Sequence, residues 1–419
     1  MQRIIWVLVF VGLFLAIDFF VFEAIKQVSK ALSENTNRVI SYVYWSIPII
    51  SISIIAIAFF LFPGRINPMW RNFLASFVFI IYISKLIATI VLLIGEVGRG
   101  IEWLYAKIQG IGKETTLSDS SESPTITRSE FITKTALTMG AAHVGVMTFG
   151  ILSGAHDYRV KRVKVALKNL PSKFNGIRIA QISDVHSGSF YNKTAVNGGV
   201  DLLLNEKPDI AFFTGDLVNN KSEEFRDYFD TFKRIKAPLG VYSTLGNHDY
   251  GDYYQWASAK EKIDNLNNLK EAHRLMGWDL LLDEHRSIKV DNEEIGILGI
   301  QNWGAGGFAK YGNLEKAITN TDNFPVKLLL SHDPSHWREQ VLGKTQIDIA
   351  FAGHTHGMQY GVELGSFKWS PVQLRYKEWA GLYSQQDQHL YVNRGYGFIG
   401  YPGRVGILPE ITIMELVTA

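Results

Sequence analysis

Three long apolar runs fall within the first hundred residues: IIWVLVFVGLFLAIDFFVF (4–22), VISYVYWSIPIISISIIAIAFFLF (39–62) and FLASFVFIIYISKLIATIVLLIG (73–95). A helix needs roughly 20 apolar residues, rising about 1.5 Å each, to cross about 30 Å of hydrocarbon. Each run meets that length. A buried core helix is a poor alternative when the pattern recurs three times in so short a stretch. A fourth run, ALTMGAAHVGVMTFGILSG (136–154), is weaker, with small residues and a histidine, His143. Trp45, Trp70, Arg71 and Trp103 flank the runs, as an interfacial belt of aromatic and basic residues does. A single cleaved signal peptide does not fit, because the basic start is slight and further spans follow.

The organisation expected from this pattern is a transmembrane region over 1–111, a linker over 112–134, a fourth span over 135–154 and a soluble domain over 155–419. The linker contains GKETTLSDSSESPTITRSE, which is rich in Ser and Thr and forms turns readily. Asp18 and Lys85 interrupt the first and third runs. Charges inside spans mark function by default. Against that, Asp18 lies near the end of its span and the stem of Lys85 is long enough to snorkel to the interface. Basic residues in the first loop (Lys26, Lys30, Arg38) and third loop (Arg99, Lys107, Lys113, Arg128, Lys134) favour a cytoplasmic side for those loops, while Arg159, Lys161, Arg162 and Lys164 after the fourth span pull the other way; the balance leans to the former. The soluble domain is then extracytoplasmic, on a multi-pass protein of the cell membrane.

Composition removes several function classes. With 42 basic and 40 acidic residues the net charge is +2, which argues against nucleic-acid binding. No cysteine is present, so disulfides, thiolate metal sites and a cysteine nucleophile are excluded. Any metal must sit on His, Asp, Glu or Asn.

From about residue 156 short apolar runs alternate with helical ones. Strands are expected at 177–183, 209–215, 239–246, 294–300, 326–331 and 347–353. Helices are expected at about 193–205, 223–235 and 255–275. The alternation predicts an α/β sheet with helices on its faces, its strands buried on both sides. Nearly every one of these strands ends in polar residues. They deliver Asp184 and His186, then Asp216, then Asn247, His248 and Asp249, then His332, and finally His354 and His356. Ligands bind at the carboxyl ends of strands in open α/β sheets. The gaps from Asp184 to Asp216 and from there to Asn247 match one βαβ unit of roughly 30 residues, so the turns fall on neighbouring strands. Taken singly, DVH, GD, SHDP or HTH is an ordinary polar loop. Together and in order they form a metal constellation. Imidazole and carboxylate suit Zn, Fe, Mn or Ni. The donors exceed what one tetrahedral ion needs, so two divalent ions sharing a carboxylate fit better, at about 3.5–4 Å separation. A cationic site of that kind favours a phosphate ester.

These motifs resemble the calcineurin-like metallophosphoesterases. The chain reads Asp184-Val185-His186, Gly215-Asp216, Gly246-Asn247-His248-Asp249, His332 and Gly353-His354-Thr355-His356, all five blocks in that family's order. The resemblance covers about 160–415 and not the spans. It implies a four-layer β-sandwich flanked by helices. It assigns Asp184, His186 and His356 to a first metal, and Asn247, His332 and His354 to a second, with Asp216 bridging. It makes an attacking water or hydroxide between the ions the nucleophile. His248 would bind phosphate or protonate the leaving oxygen, and Asp249 would orient that imidazole. Membrane-linked relatives carry a glycine where this chain has Met358, so the adjoining loop is expected to differ in shape. The stretch IQNWGAGGFAKYGN (300–313), with Trp303, Phe308 and Tyr311 among glycines, suggests a mobile cover for an apolar substrate.

The leading expectation is a metal-dependent phosphodiesterase, phosphomonoesterase or pyrophosphohydrolase acting on a phospholipid or nucleotide-linked lipid. The competing one is a catalytically silent membrane receptor or assembly protein built on the same fold. The intact ligand set favours the enzyme.

Overall fold

The computed structural model describes residues 2–61, 68–109, 127–365 and 367–419. The chain divides into two units, Met1–Thr148 and Phe149–Ala419. In the first, the apolar runs become helices α1 (Gln2–Ser29), α2 (Glu34–Ile55, continued by a π-turn over Ala56–Leu61), α3 (Pro68–Ile108) and α4 (Arg128–Leu152). Helical backbone satisfies its own hydrogen bonds, which the bilayer interior demands. Among the described residues, Glu34–Ala58, Met69–Ile108 and Arg128–His156 are long and apolar enough to cross a membrane. The expected first span lies within α1. Helix α4 begins at Arg128, so it takes in the last residues of the expected linker; 112–126 lie outside the described residues.

Lys85, whose stem is long enough to snorkel, turns inward within the first unit instead. Its ammonium donates to Asp18 Oδ1 at 2.5 Å, and the two residues are 9% and 0% exposed. Tyr82 donates to the other carboxylate oxygen at 3.0 Å, and Tyr44 to the Asp18 carbonyl at 2.7 Å. The Lys85 ammonium also lies 4.4 Å from the centre of the Tyr44 ring. The charges meet each other and two phenols, joining α1, α2 and α3, so neither has to reach the interface.

Among the described residues the second unit holds fourteen strands. The first seven are β1 (Arg159–Leu167), β2 (Arg178–Ile182), β3 (Ile210–Thr214), β4 (Val241–Thr244), β5 (Asp279–Leu280), β6 (Glu284–Val290) and β7 (Glu293–Gly299). The rest are β8 (Lys327–Leu330), β9 (Ile349–Ala352), β10 (Val362–Leu364), β11 (Phe367–Trp369), β12 (Gly381–Gln385), β13 (Gln388–Val392) and β14 (Glu410–Thr418). One six-stranded sheet runs β1-β14-β2-β3-β4-β5 and another β12-β13-β9-β8-β7-β6, while β10 and β11 form a separate hairpin. Strands β2, β3, β4 and β5 are parallel, as are β7, β8, β9 and β13. All six strands expected from the sequence are present, and the three bearing Asp184, Asp216 and Asn247 are neighbours.

Alternation of side chains sorts the core into layers. Ile179, Ile210, Phe212 and Met414 of one sheet meet Ile297, Leu328, Leu330 and Phe351 of the other. On the outer face of the first sheet, Ala180, Ile182 and Phe213 pack under α5 (Lys193–Asn205), α6 (Phe229–Lys233) and α7 (Ala259–Met276). On the outer face of the second, Leu298, Leu329 and Ala350 pack under Trp337 and α8 (Leu314–Ile318). The order is helix, sheet, sheet, helix. Each fully buried Leu, Ile or Phe contributes roughly 1.5–3 kcal/mol.

The helix expected at 223–235 forms only in part. Ser222–Tyr228 is a 3₁₀ turn that hands over to α6. The Glu224 carboxylate accepts from the backbone N–H groups of Asn219 at 2.6 Å and Lys221 at 3.2 Å, and this tightens the turn.

Candidate metal centre

The polar residues sit where their strands end, and the backbone there is unusual. Asp184, His186, Asp216, His354 and His356 all have φ between 47° and 70°. Left-handed backbone at non-glycine residues is costly, at about 1–3 kcal/mol each, and persists only where surroundings enforce it. The enforcing contacts are visible. The N–H of Asp184 donates to the Gly215 carbonyl at 2.9 Å, and that of His186 to the Asp216 carbonyl at 3.1 Å. The N–H of His354 donates to Asp184 Oδ1 at 2.9 Å. Two glycines permit the close approach: a Cβ on Gly246 would lie 2.2 Å from Asp216 Oδ1, and one on Gly353 2.1 Å from Asp184 Oδ2.

Two donor groups result, Asp184 with His186 and His356, and Asp216 with His332 and His354, each able to offer ligand atoms within 4.8 Å of one another. In the first, the Nε2 atoms of His186 and His356 are 3.0 Å apart, and the latter is 3.2 Å from Asp184 Oδ1. In the second, His332 Nε2 lies 3.2 Å from Asp216 Oδ2. That same oxygen is 3.4 Å from His186 Nε2, so Asp216 faces both groups. Asn247 Oδ1 meets His354 Nδ1 at 2.9 Å and so joins the second group. The sequence-derived set of seven is thus brought together.

The far sides of the rings are held. His332 Nδ1 donates to the Thr214 carbonyl at 2.7 Å, and His186 Nδ1 to Asn219 Oδ1 at 3.1 Å. Such outer contacts fix the tautomer and aim the other nitrogen inward. His332 Nε2 is buried and, though 3.2 Å from Asp216 Oδ2, makes no aligned hydrogen bond. An inward-facing nitrogen so placed, paired imidazoles and two converging carboxylates fit divalent cations.

Electrostatics suit cation binding at Asp184, Asp216, His186 and His354. Burial raises the carboxyls of Asp184 and Asp216, but the surrounding imidazoles outweigh it and hold both below the usual carboxylate range. Burial pushes His186 and His354 down, toward the neutral ligand form. Burial also opposes charge on His332, yet the Asp216 carboxylate carries it up to about 10.

Asp249 departs from its expected role. Its carboxylate accepts from the backbone N–H groups of Asp216 and Gly246 at 2.9 Å each and of Leu217 at 2.8 Å. It therefore shapes the loop that carries Asp216. Burial, then the charge of Asp216, pushes it up to about 7. The imidazole of His248 instead donates from Nδ1 to the Asn219 carbonyl at 2.8 Å. Asn219 thus serves two histidines, one through its side chain and one through its backbone.

Other residues at the site had no clear signal in the sequence. Tyr376 brings its hydroxyl 2.9 Å from His354 Nε2, with Asp333 Oδ2 at 3.5 Å from the same nitrogen. The buried Arg404 donates to His356 Nδ1 at 3.2 Å. In the 300–313 stretch Trp303 is in the core, Tyr311 stacks on Tyr250 at 3.8 Å and Phe308 lies edge-on to His354 at 4.9 Å, while Gly306, Gly307, Ala309 and Lys310 are exposed. Met358 has φ 54°, a left-handed conformation that a glycine adopts at less cost.

Comparison with known proteins agrees with this geometry. Residues 177–358 match the family described as calcineurin-like phosphoesterase, and residues 2–155 match "Probable Calcineurin-like phosphoesterase, transmembrane domain". The chain is 25% identical over 327 residues to a zebrafish (Danio rerio) "transmembrane protein with metallophosphoesterase domain", covering 76% of this chain and 70% of that one. It is 30% identical over 278 residues to the UDP-2,3-diacylglucosamine pyrophosphatase LpxG of Chlamydia trachomatis, covering 55% of this chain and 81% of the relative. It is 24% identical over 294 residues to phosphodiesterase YaeI of Escherichia coli, covering 70% of this chain and all of that one, at 100%. The chain belongs to the calcineurin-like metallophosphoesterase family, and its catalytic-type domain follows a transmembrane region.

Proposed function

We propose that this protein hydrolyses a phosphoester or pyrophosphate bond of a membrane-associated, lipid-linked substrate, using two divalent cations drawn from Mn, Fe, Zn and Ni. The observation that carries the reading is the position of Asp216 Oδ2, within 3.2 Å of His332 Nε2 and 3.4 Å of His186 Nε2. A carboxylate oxygen so placed can serve two ions. Asp184, His186 and His356 would hold one, and Asn247, His332 and His354 the other. Bound there, the cations would supply positive charge to attract a phosphate and to acidify the attacking water.

The chain's own residues complete the chemistry. His248 donates from Nδ1 to the Asn219 carbonyl, which leaves Nε2 as the atom that accepts or delivers a proton. Asp249 acts at a distance, by fixing the backbone around Asp216. A lipid-linked substrate is supported by the transmembrane region and by a relative named for a diacylated nucleotide sugar. The basic loop residues Lys26, Lys30 and Arg38 support an extracytoplasmic site.

The test is hydrolysis by the full-length protein, loaded with Mn²⁺, of an aryl phosphodiester and of nucleotide-linked diacyl lipids. Hydrolysis is expected, with His248→Ala lowering kcat about 10²–10⁴-fold. A folded protein that retains metal yet cleaves none of these favours the silent receptor instead.

A further inference from the structure

The hairpin β10–β11 is turned inside out. Its register pairs Val362 with Trp369, Glu363 with Lys368 and Leu364 with Phe367. Directly opposed residues share a face, so one face is wholly apolar and the other charged. A soluble domain would bury the first. Here the charged face is the one used internally. Glu363 accepts from Lys161 at 3.0 Å and Arg394 at 3.1 Å, and Lys368 donates to the Ala380 carbonyl and, at 3.2 Å, to the Tyr383 hydroxyl. The apolar face points away: Leu364 is 71% exposed and Phe367 60%, with Leu374 nearby in sequence at 89%.

The same excursion begins and ends at the metal centre. It leaves from His356 and returns at Tyr376, whose hydroxyl meets His354. Its base is fastened by Ser370, which donates to the Gly357 carbonyl at 2.8 Å.

We propose that this hairpin docks into the lipid leaflet and brings a bilayer-borne phosphoester to the metal centre. In naming a leaflet lipid as substrate it rests on the phosphoesterase reading. Three observations favour lipid over protein as the occupant. In the segment 358–377 Arg375 and Lys377 are exposed cations, while the carboxylate of Glu363 and the ammonium of Lys368 are already engaged on the inward face. This suits anionic headgroups. Trp369, 41% exposed, adds an amphipathic ring to the apolar face, as such rings are found at a membrane surface. A hairpin of two three-residue strands offers far less than the roughly 1,200–2,000 Å² of a stable protein interface. For a chain already anchored in a bilayer, a small apolar contact suffices, because the leaflet is held at high effective concentration.

The chain has no cysteine, so a single environment-sensitive label can be placed cleanly. Full-length Leu364→Cys, labelled and reconstituted one copy per nanodisc in phosphatidylcholine with phosphatidylglycerol, is expected to shift its emission to the blue. Brominated acyl chains are expected to quench it. A label at Lys260→Cys on the polar surface of α7 is expected to remain unquenched and open to aqueous iodide. Phe367→Cys serves as a second position should the first variant fold poorly. A label at the hairpin that stays as open to iodide as the one on α7, or that is shielded only in discs holding two copies, overturns the proposal. Quenching requires no turnover, so failure of the docking and failure of the phosphoesterase reading are distinguished.

Discussion

His186 and His356 stand 170 residues apart in the chain and bring their Nε2 atoms to 3.0 Å. The pair closes as one N–H···N hydrogen bond, since His186 donates from Nδ1 and His356 accepts there from Arg404. With Asp184 beside them, the same two nitrogens are placed to act as donors to one cation.

Truncating one of them should therefore remove one ion. Elemental analysis of the full-length protein is expected to give roughly two divalent ions per chain, and roughly one for His356→Ala. Added Mn²⁺ should raise the melting temperature of metal-stripped parent protein, since binding to the folded state alone adds about 2.7 kcal/mol at a hundredfold excess over Kd. Asp216→Asn, which touches both donor groups, is expected to lose most of that gain. An unchanged metal content in both variants would contradict the assignment.

Asp249 should behave as a structural residue first. Asp249→Ala strands the buried N–H groups of Asp216, Leu217 and Gly246, and each unsatisfied group costs about 1–3 kcal/mol. A clear drop in chemical stability is expected together with lost activity. If Asp249 served only to orient His248, activity would fall while the denaturation midpoint stayed put.

His273 predicts acid sensitivity away from the metal centre. Its ring is buried beside Phe213 and Trp278, with Nδ1 2.9 Å from Ser243 Oγ, and burial pushes it down to about 3. The unfolded chain takes up that proton below about pH 6.5 and the folded chain does not. The contribution is thus complete above pH 6.5 and is lost as pH falls toward 3. At pH 5 the loss comes to about 2 kcal/mol. His273→Phe should flatten the fall in melting temperature between pH 7 and 5 relative to the parent.

The Asp18–Lys85 pair can be tested by a double-mutant cycle. Removing one partner leaves an uncompensated buried charge, at a cost of about 3–5 kcal/mol in a protein interior. Asp18→Asn or Lys85→Met alone should weaken resistance to denaturant in mild detergent. The double variant should recover much of it. Simple additivity of the two losses would mean the charges are not coupled.

Much of the second unit was legible because parallel strands buried on both faces leave continuous apolar runs, as 177–183 and 209–215 do. Their polar ends and the regular spacing of Asp184, Asp216 and Asn247 then located the site. Strand β1 escaped notice because RVKRVKVAL reads as a basic segment. Its Val165 and Leu167 are buried while Arg159 and Lys164 stay exposed, a half-buried pattern that its charges mask. The partner of His248 was illegible for a different reason: it is a backbone carbonyl of Asn219, and any residue could supply one. Nor can a sequence show that Lys85 meets a carboxylate 67 positions away, since periodicity reports on faces and not on partners.

Strand β14 lies between β1 and β2, parallel to the former and antiparallel to the latter. Among the described strands it is also the last to leave the ribosome. The sheet that positions Asp184, Asp216 and Asn247 therefore stays open along one edge until residues 410–418 emerge. The helices of the first unit are synthesised long before that, so the donor groups that would hold ions are completed after the apolar helices are available to the bilayer.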